Sequence, residues 1–234
     1  MLQARLSGIV ITLCMTVVVA GSNGFAQDVA PSGAAPVKTS VPATQPASDG
    51  PAVETVVIFR HGEKPTEGLG QLTPQGLNRA LALSVVLPEK FGRPDYLFAP
   101  DPREKTSDRG GLFNYCRPLA TMEPIAIRLG LPIQTPCGFK DIEELEDELS
   151  KPQYAHAMVF VSWEHLYAQR AAAALFKRFG GNPSEVPSWP GTDYDSLYVL
   201  KIRRSPGEPT TATFTHEHEG LDGQSTVMPT PAAK

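Results

Sequence analysis

Arg60, His61 and Gly62 stand together at the end of a short apolar run in the stretch VVIFRHGEKP, residues 56–65. A buried strand holds groups at its end rigidly, beside the crevice where α/β proteins usually place ligands. A guanidinium presents a planar fork that matches phosphate oxygens. An imidazole can attack phosphorus through one ring nitrogen while a backbone carbonyl holds the N–H of the other. The neighbouring Gly62 permits a tight turn and a close backbone approach to an anion. The same residue types recur later, with Arg117 just before a helix that begins near Pro118 and His165 shortly after the apolar run AMVFVS. Singly, each has a bland reading: a surface arginine, a core histidine, a histidine that caps a turn. A cation at a helix start is disfavoured by the helix dipole unless an anion is present, which favours a shared site. Convergence of the four would bind a phosphoryl group, with His61 as nucleophile and Arg60, Arg117 and His165 stabilising charge on the equatorial oxygens.

Positioning these groups requires strands and helices in alternation, and the pattern supplies them. Residues 55–59 read as a strand. Residues 72–92 follow as a helix, with Thr73 as N-cap, Pro74 at the first helical position and a stop at Gly92. A strand is expected at residues 95–99, then a polar loop, then a helix over 118–130 closed by Gly130 and interrupted or restarted at Pro124. LPIQT adds a short strand; residues 157–162 form a buried strand, and the alanine-rich segment 165–181 a helix with a glycine stop. Residues 196–202 and 211–217 read as a hairpin around 205–209. Alternation of this kind gives an α/β fold with a mostly parallel sheet, covered on both faces and extended by an antiparallel edge hairpin. On the last strand His216 and His218 share one face and Glu217 and Glu219 the other. Two imidazoles fall short of the three or four ligands of a specific metal site, so a solvated strand end is the expectation and no metal is assigned.

RHGEKP, LTPQGLNRALAL, RPLATMEPIA and WEH, taken in that order, resemble the histidine phosphatase superfamily, also called the phosphoglycerate mutase-like fold. The likeness runs from Val56 to about Ala173, and RHG followed by an LTPxG helix is its most specific part. It implies a three-layer α/β/α sandwich without metal or cofactor, in which His61 is the nucleophile, Arg60 and Arg117 bind phosphate and His165 is the second pocket histidine. The implied activity is hydrolysis of a phosphomonoester or related phosphoryl group through a phosphohistidine. The alternative is a catalytically silent phosphate-ligand binder of the same fold. The segment EGLDGQS, residues 219–225, is similar to C-terminal segments of some secreted-type relatives.

Such chemistry needs a proton donor for the leaving oxygen. In one branch of the superfamily an acidic residue follows the second histidine; here that position is Leu166. In the mutase-like branch the acid lies some way after the second arginine, where this chain has DIEELEDEL, residues 141–149. Glu143 or Glu144 would serve there, although the run also reads as a solvated helix face. Glu63 and Glu164 are nearer the site in sequence. Glu164 meets a geometric objection: if the strand continues through it, Glu164 and His165 point opposite ways. The short span between Arg117 and His165 leaves room for only a small cap, and so for an open pocket.

The 234 residues, 41% of them hydrophobic, suffice for one domain with a substantial core. A net charge of −4 argues against a general nucleic-acid binder and against a polybasic membrane patch. Arg5, the apolar run of residues 8–21 and the small-residue pattern before Gln27 read as an export signal over residues 1–26. That run is shorter than the roughly 20 apolar residues of a membrane span, so no stable insertion is expected after cleavage. Residues 27–52, rich in Pro, Ala and Ser, read as a linker, 53–225 as the domain and 226–234 as a flexible tail. The expected location is periplasmic or extracellular, and the partner a phosphorylated small molecule or phosphoprotein. Cys116 and Cys137 remain after cleavage, either as a disulfide or as two free thiols.

Overall fold

The structure, a computed structural model, describes residues 51–230; the segment expected to be an export signal, almost all of the expected linker and the last four residues lie outside that range. Its centre is β1 (Ala52–Arg60), buried from Val56 onward because it is flanked on both sides. β6 (Met158–Trp163) pairs with it in parallel and β7 (Ser196–Arg204) antiparallel. β2 (Tyr96–Phe98) and the two-residue β5 (Ile133–Gln134) continue the parallel side, and β8 (Thr211–His218) forms the antiparallel edge. The order is β5-β2-β6-β1-β7-β8.

Period-two alternation along β1 sends Val56 and Ile58 to one face and Val57 and Phe59 to the other. On the Val57 face lie α1 (Pro74–Phe91) and α2 (Arg117–Leu129), which contribute Leu83, Leu87, Met122 and Ile125 to the core. On the Val56 face lie α3 (Ile142–Leu149) and α4 (His165–Arg178), packed through Leu145, Leu149, Ala171 and Leu175. This is the three-layer α/β/α arrangement expected, a mostly parallel sheet with an antiparallel edge pair. Among the described residues, no helix is long and apolar enough to cross a membrane.

Thr73 caps α1 as expected, its hydroxyl accepting the Gly76 N–H at 3.1 Å, with Pro74 in the first turn. The expected break at Pro124 is not there: α2 runs unbroken from Arg117 to Leu129. A proline removes one helical N–H, and burial of Thr121, Met122, Ile125 and Ala126 along one face holds the helix across that gap. Gly130 closes α2 in the left-handed region at φ 63°. The polar loop after β2 contains a small hairpin, β3 (Lys105–Asp108) paired with β4 (Gly111–Asn114), which the sequence reading missed. Cys116 and Cys137 are both free thiols. Beyond β8 the chain returns to α1, where the Asn78 side chain donates to the carbonyls of Ser225 and Val227 at 2.7 and 2.8 Å.

Candidate active site

β1 and β6 end side by side, with Arg60 in register with Trp163, so the residues that follow them share one edge of the sheet. A cavity of about 250 Å³ opens there and is lined by Arg60, His61, Arg117 and His165, the four groups picked out from the sequence. Glu164, Asp108, Tyr115 and Lys64 join them.

His61 is almost fully buried, and its Nδ1 lies 2.7 Å from the carbonyl oxygen of Gly62. A carbonyl only accepts, so Nδ1 carries the proton and Nε2 keeps its lone pair. Burial, then the positive charges of Arg60 and Arg117, push the His61 pKa well below its ordinary value, so the ring is neutral at neutral pH. Its edge stands against Tyr115, with ring centroids 5.9 Å apart.

The two arginines are held differently. Arg60 Nη1 donates to the main-chain carbonyls of Gly191 and Asp193 at 2.8 and 2.7 Å, and its guanidinium stacks 3.7 Å above the Tyr194 ring. Arg117 Nη1 donates to Asp108 Oδ2 at 2.7 Å and to the Gly68 carbonyl at 3.2 Å. The Nε of each arginine is buried without a protein partner. A buried unpaired N–H on a charged group is costly, and an anion in the pocket is the natural partner for it. The anion that compensates the cation at the start of α2 is, in this structure, Asp108. Burial raises the Asp108 pKa, but hydrogen bonds from Arg117 and the Gly70 N–H outweigh that and hold it below the ordinary carboxylate value.

The acid candidates separate cleanly. Glu63 is bound to the buried Arg79, at 2.8 Å, and does not line the cavity. Glu143 and Glu144 lie along a different cleft of about 520 Å³, with Lys140 and Arg170. Glu164 does line the site, because β6 stops at Trp163 and Glu164 is the N-cap of α4. The objection from strand alternation therefore lapses, since the chain turns between Trp163 and His165. Glu164 Oε2 accepts the N–H groups of Leu166 and Tyr167 at 2.9 and 3.1 Å, and Oε1 lies against His165 Nδ1, in contact but off the line of a straight hydrogen bond. Burial works against the charged form, yet His165 and the two N–H groups pull the Glu164 pKa below its usual value.

Gly62 serves the loop itself. A Cβ there would stand 2.6 Å from the carbonyl oxygen of Gly76, so the close approach it permits is to the backbone of α1, where an anion had been expected. The Gly62 N–H donates to Thr121 Oγ1 at 3.0 Å, which ties this loop to α2 as well. Asp108, Tyr115 and Tyr194 were missed by the sequence reading; Asp108 lies on the unpredicted hairpin, and no spacing or periodicity marks it as the partner of Arg117. His216 and His218 do share a face, with ring centroids 5.0 Å apart, and His216 Nε2 lies 2.7 Å from Ser196 Oγ. Among the described residues, no group of three or more His, Cys, Asp or Glu is placed to hold a metal ion.

No protein-family model and no curated protein matches the chain. Solved structures similar to it include mycobacterial hydrolase 2, at 16% identity and TM-score 0.48 over 70% of this chain and 89% of that one. Another is a mycobacterial glucosyl-3-phosphoglycerate phosphatase in complex with inorganic phosphate, at 16% identity and TM-score 0.47 over 69% and 95%. A third, described as a phosphohistidine phosphatase SixA from Nakamurella multipartitia, is 16% identical with TM-score 0.48 over 74% and 98%. Similarity this slight leaves the chemistry to be read from the pocket's own residues.

Proposed function

We propose that this chain is a phosphohydrolase that transfers a phosphoryl group from a phosphomonoester, or a related phosphoryl compound, to His61 and then to water. The observation that carries this reading is the state of His61: buried, neutral, its Nδ1–H fixed on the Gly62 carbonyl and its Nε2 lone pair free, in a cavity lined by two arginines. A ring in that tautomer is a nucleophile without further activation, and the arginines supply fixed positive charge where the transition state spreads its negative charge.

In the first step the Nε2 lone pair forms a bond to phosphorus while the bond from phosphorus to the leaving oxygen breaks, and that oxygen takes up a proton. In the second, water attacks phosphorus, gives up a proton to the pocket, and the P–N electron pair returns to Nε2. Arg60 and Arg117 hold the phosphoryl oxygens throughout; for Arg117 this means exchanging part of its contact with Asp108. No metal is required by either step. The substrate is a phosphorylated small molecule or a phosphoprotein, and the N-terminal sequence supports export to a periplasm or the outside of a cell.

A second reading is a phosphate-ligand binder without turnover, and one observation favours it: both carboxylates in the cavity, Asp108 and Glu164, are held ionised and offer no ready proton. Phosphate release from a panel of phosphomonoesters, with chelator present and His61→Ala as control, separates the two. The hydrolase reading expects chelator-resistant turnover that falls by about 10³-fold or more in the variant. Vanadate binding by a folded protein that turns over no ester in the panel would leave the binder.

A further inference from the structure

We infer that His165, and no carboxylic acid, protonates the leaving oxygen, with Glu164 as the residue that positions it; this rests on the phosphohistidine reading of the same cavity. The inference begins from how the two carboxylates are used. Both oxygens of Glu164 are engaged, one by two N–H groups at the start of α4 and the other by His165 Nδ1. Negative charge at a helix N-cap is favoured by the dipole as well as by the hydrogen bonds, so this carboxylate is a fixed anion. Asp108 accepts from Arg117 and from the Gly70 N–H, and is likewise an acceptor only. Neither has a proton to give.

The proton-bearing side chains that remain in the cavity, the arginines and the nucleophile aside, are Lys64, Thr106, Ser107, Tyr115, Tyr167 and His165; the two aliphatic hydroxyls are far too weakly acidic to serve. Tyr115 holds its proton tightly, because burial first, with Glu164 nearby, pushes its pKa far up. A general acid must give a proton in one step and take one back in the next, and imidazole is the side chain best suited to both. His165 is the group with that chemistry. Its placement also fits, since Glu164 occupies Nδ1 and the other ring nitrogen, Nε2, lies beside Gly191, whose carbonyl holds Arg60. Nε2 and the Arg60 guanidinium thus share Gly191 as a neighbour, and Arg60 is one of the two groups proposed to hold the phosphoryl oxygens.

The protons balance over the cycle. In the proposed cycle the reacting form of His165, between the Glu164 carboxylate and the phosphate ester, has protons on both nitrogens. As the P–O bond breaks and the P–N bond forms, the Nε2 proton passes to the leaving oxygen and an alcohol departs. Neutral His165 then takes a proton from the attacking water as the P–N bond breaks, and phosphate leaves with the ring protonated again. Glu164 exchanges no proton; it keeps Nδ1 protonated and Nε2 turned toward the ester.

The dependence on leaving group tests this. An acidic phenol departs without a proton, while an alkoxide needs one, so loss of the donor falls mainly on alkyl esters. Para-nitrophenyl phosphate and β-glycerophosphate are compared by kcat/KM, which reports the phosphorylation step, in the full chain and in His165→Asn and Glu164→Gln. The expected result is a loss on the alkyl ester about 10²-fold greater than on the nitrophenyl ester for His165→Asn, and about tenfold greater for Glu164→Gln. Equal losses on both esters would overturn the inference and leave His165 as a phosphate ligand only. If His165→Asn does not fold, Glu164→Gln carries the same comparison. Absence of His61-dependent turnover of either ester by the parent chain would overturn the phosphohistidine reading itself, which is a different outcome from equal losses.

Discussion

Asp108 places a negative charge in a pocket proposed to bind a dianion, 2.7 Å from one of the two arginines that would hold it. Two effects compete at this residue. Its carboxylate steadies Arg117, and it repels phosphate through a medium of low effective dielectric. Asparagine keeps an acceptor for the guanidinium and removes the charge, so Asp108→Asn is expected to tighten vanadate binding by roughly tenfold at low salt, read by calorimetric titration. Weaker binding would mean that holding Arg117 in place is the greater effect. His61 was legible in sequence because cation, imidazole and glycine adjoin an apolar strand in a row. Asp108 was not, because its partner comes from the start of α2 and its own strand exists only through pairing with β4. Glu164 was legible as a residue but not in its role: whether a chain leaves a strand at a given position or one later is decided by tertiary packing, and here it decides which way the side chain faces.

The loop from β1 to α1 is an element set by two glycines. Cβ atoms at Gly62 or Gly76 would stand 2.6 and 2.4 Å from backbone oxygens of the opposing segment, which cannot rotate away as a side chain would. Gly62→Ala therefore forces the loop off the first turn of α1 and carries His61 with it. The expected cost is about 1–3 kcal/mol in urea unfolding, with a fall in kcat larger than that of a surface variant of equal stability. An unchanged kcat would mean that the loop relaxes without moving the nucleophile. The mostly parallel sheet with its antiparallel edge was readable from alternation of apolar runs with capped helices, since the second half of β1 and nearly all of β6 are apolar as strands buried on both faces must be; the order of the strands was not. Continuity of α2 through Pro124 was not readable, because local propensity stops a helix there and only burial of the flanking turns keeps it going. The hairpin β3–β4, with strands of four residues each, is too short to carry a periodic signal.

Across the whole molecule, Arg79 joins parts of the chain that are far apart in sequence. Buried on the inner face of α1, it meets Glu63 from the loop after β1, Asp195 before β7, and Glu219 and Asp222 beyond β8. Four carboxylates around one guanidinium are an excess of negative charge. The most enclosed, Glu219, is pushed up to about 8 by burial first, then by Asp195 and Glu63 against the pull of Arg79. A carboxyl whose folded-state pKa is raised holds its proton more tightly in the native state than in the unfolded chain. Its contribution to stability is complete below the ordinary value of 4.5 and is lost as pH rises toward about 8. Glu219→Gln removes that titration, so in urea unfolding its stability relative to the parent should rise between pH 5 and pH 8 by about 1–3 kcal/mol. Glu54, pushed up to about 7 by burial, loses stability in an overlapping window in both proteins and cancels in the comparison. A constant difference would show that Glu219 stays ionised on Arg79. None of this cluster was legible in the sequence, where Arg79 is one basic residue in an amphipathic helix and its partners are scattered over about 160 positions.

The two arginines of the cavity differ in one further respect: Arg60 is anchored by peptide carbonyls, Arg117 by a carboxylate. One cation is thus uncommitted in charge while the other is already matched. An arriving phosphoanion would be drawn first by Arg60 and only afterwards compete with Asp108 for Arg117. Arrival and departure would then answer to different conditions, the first to ionic strength and the second to the identity of residue 108, so that the carboxylate which makes the pocket harder to fill also makes it easier to empty.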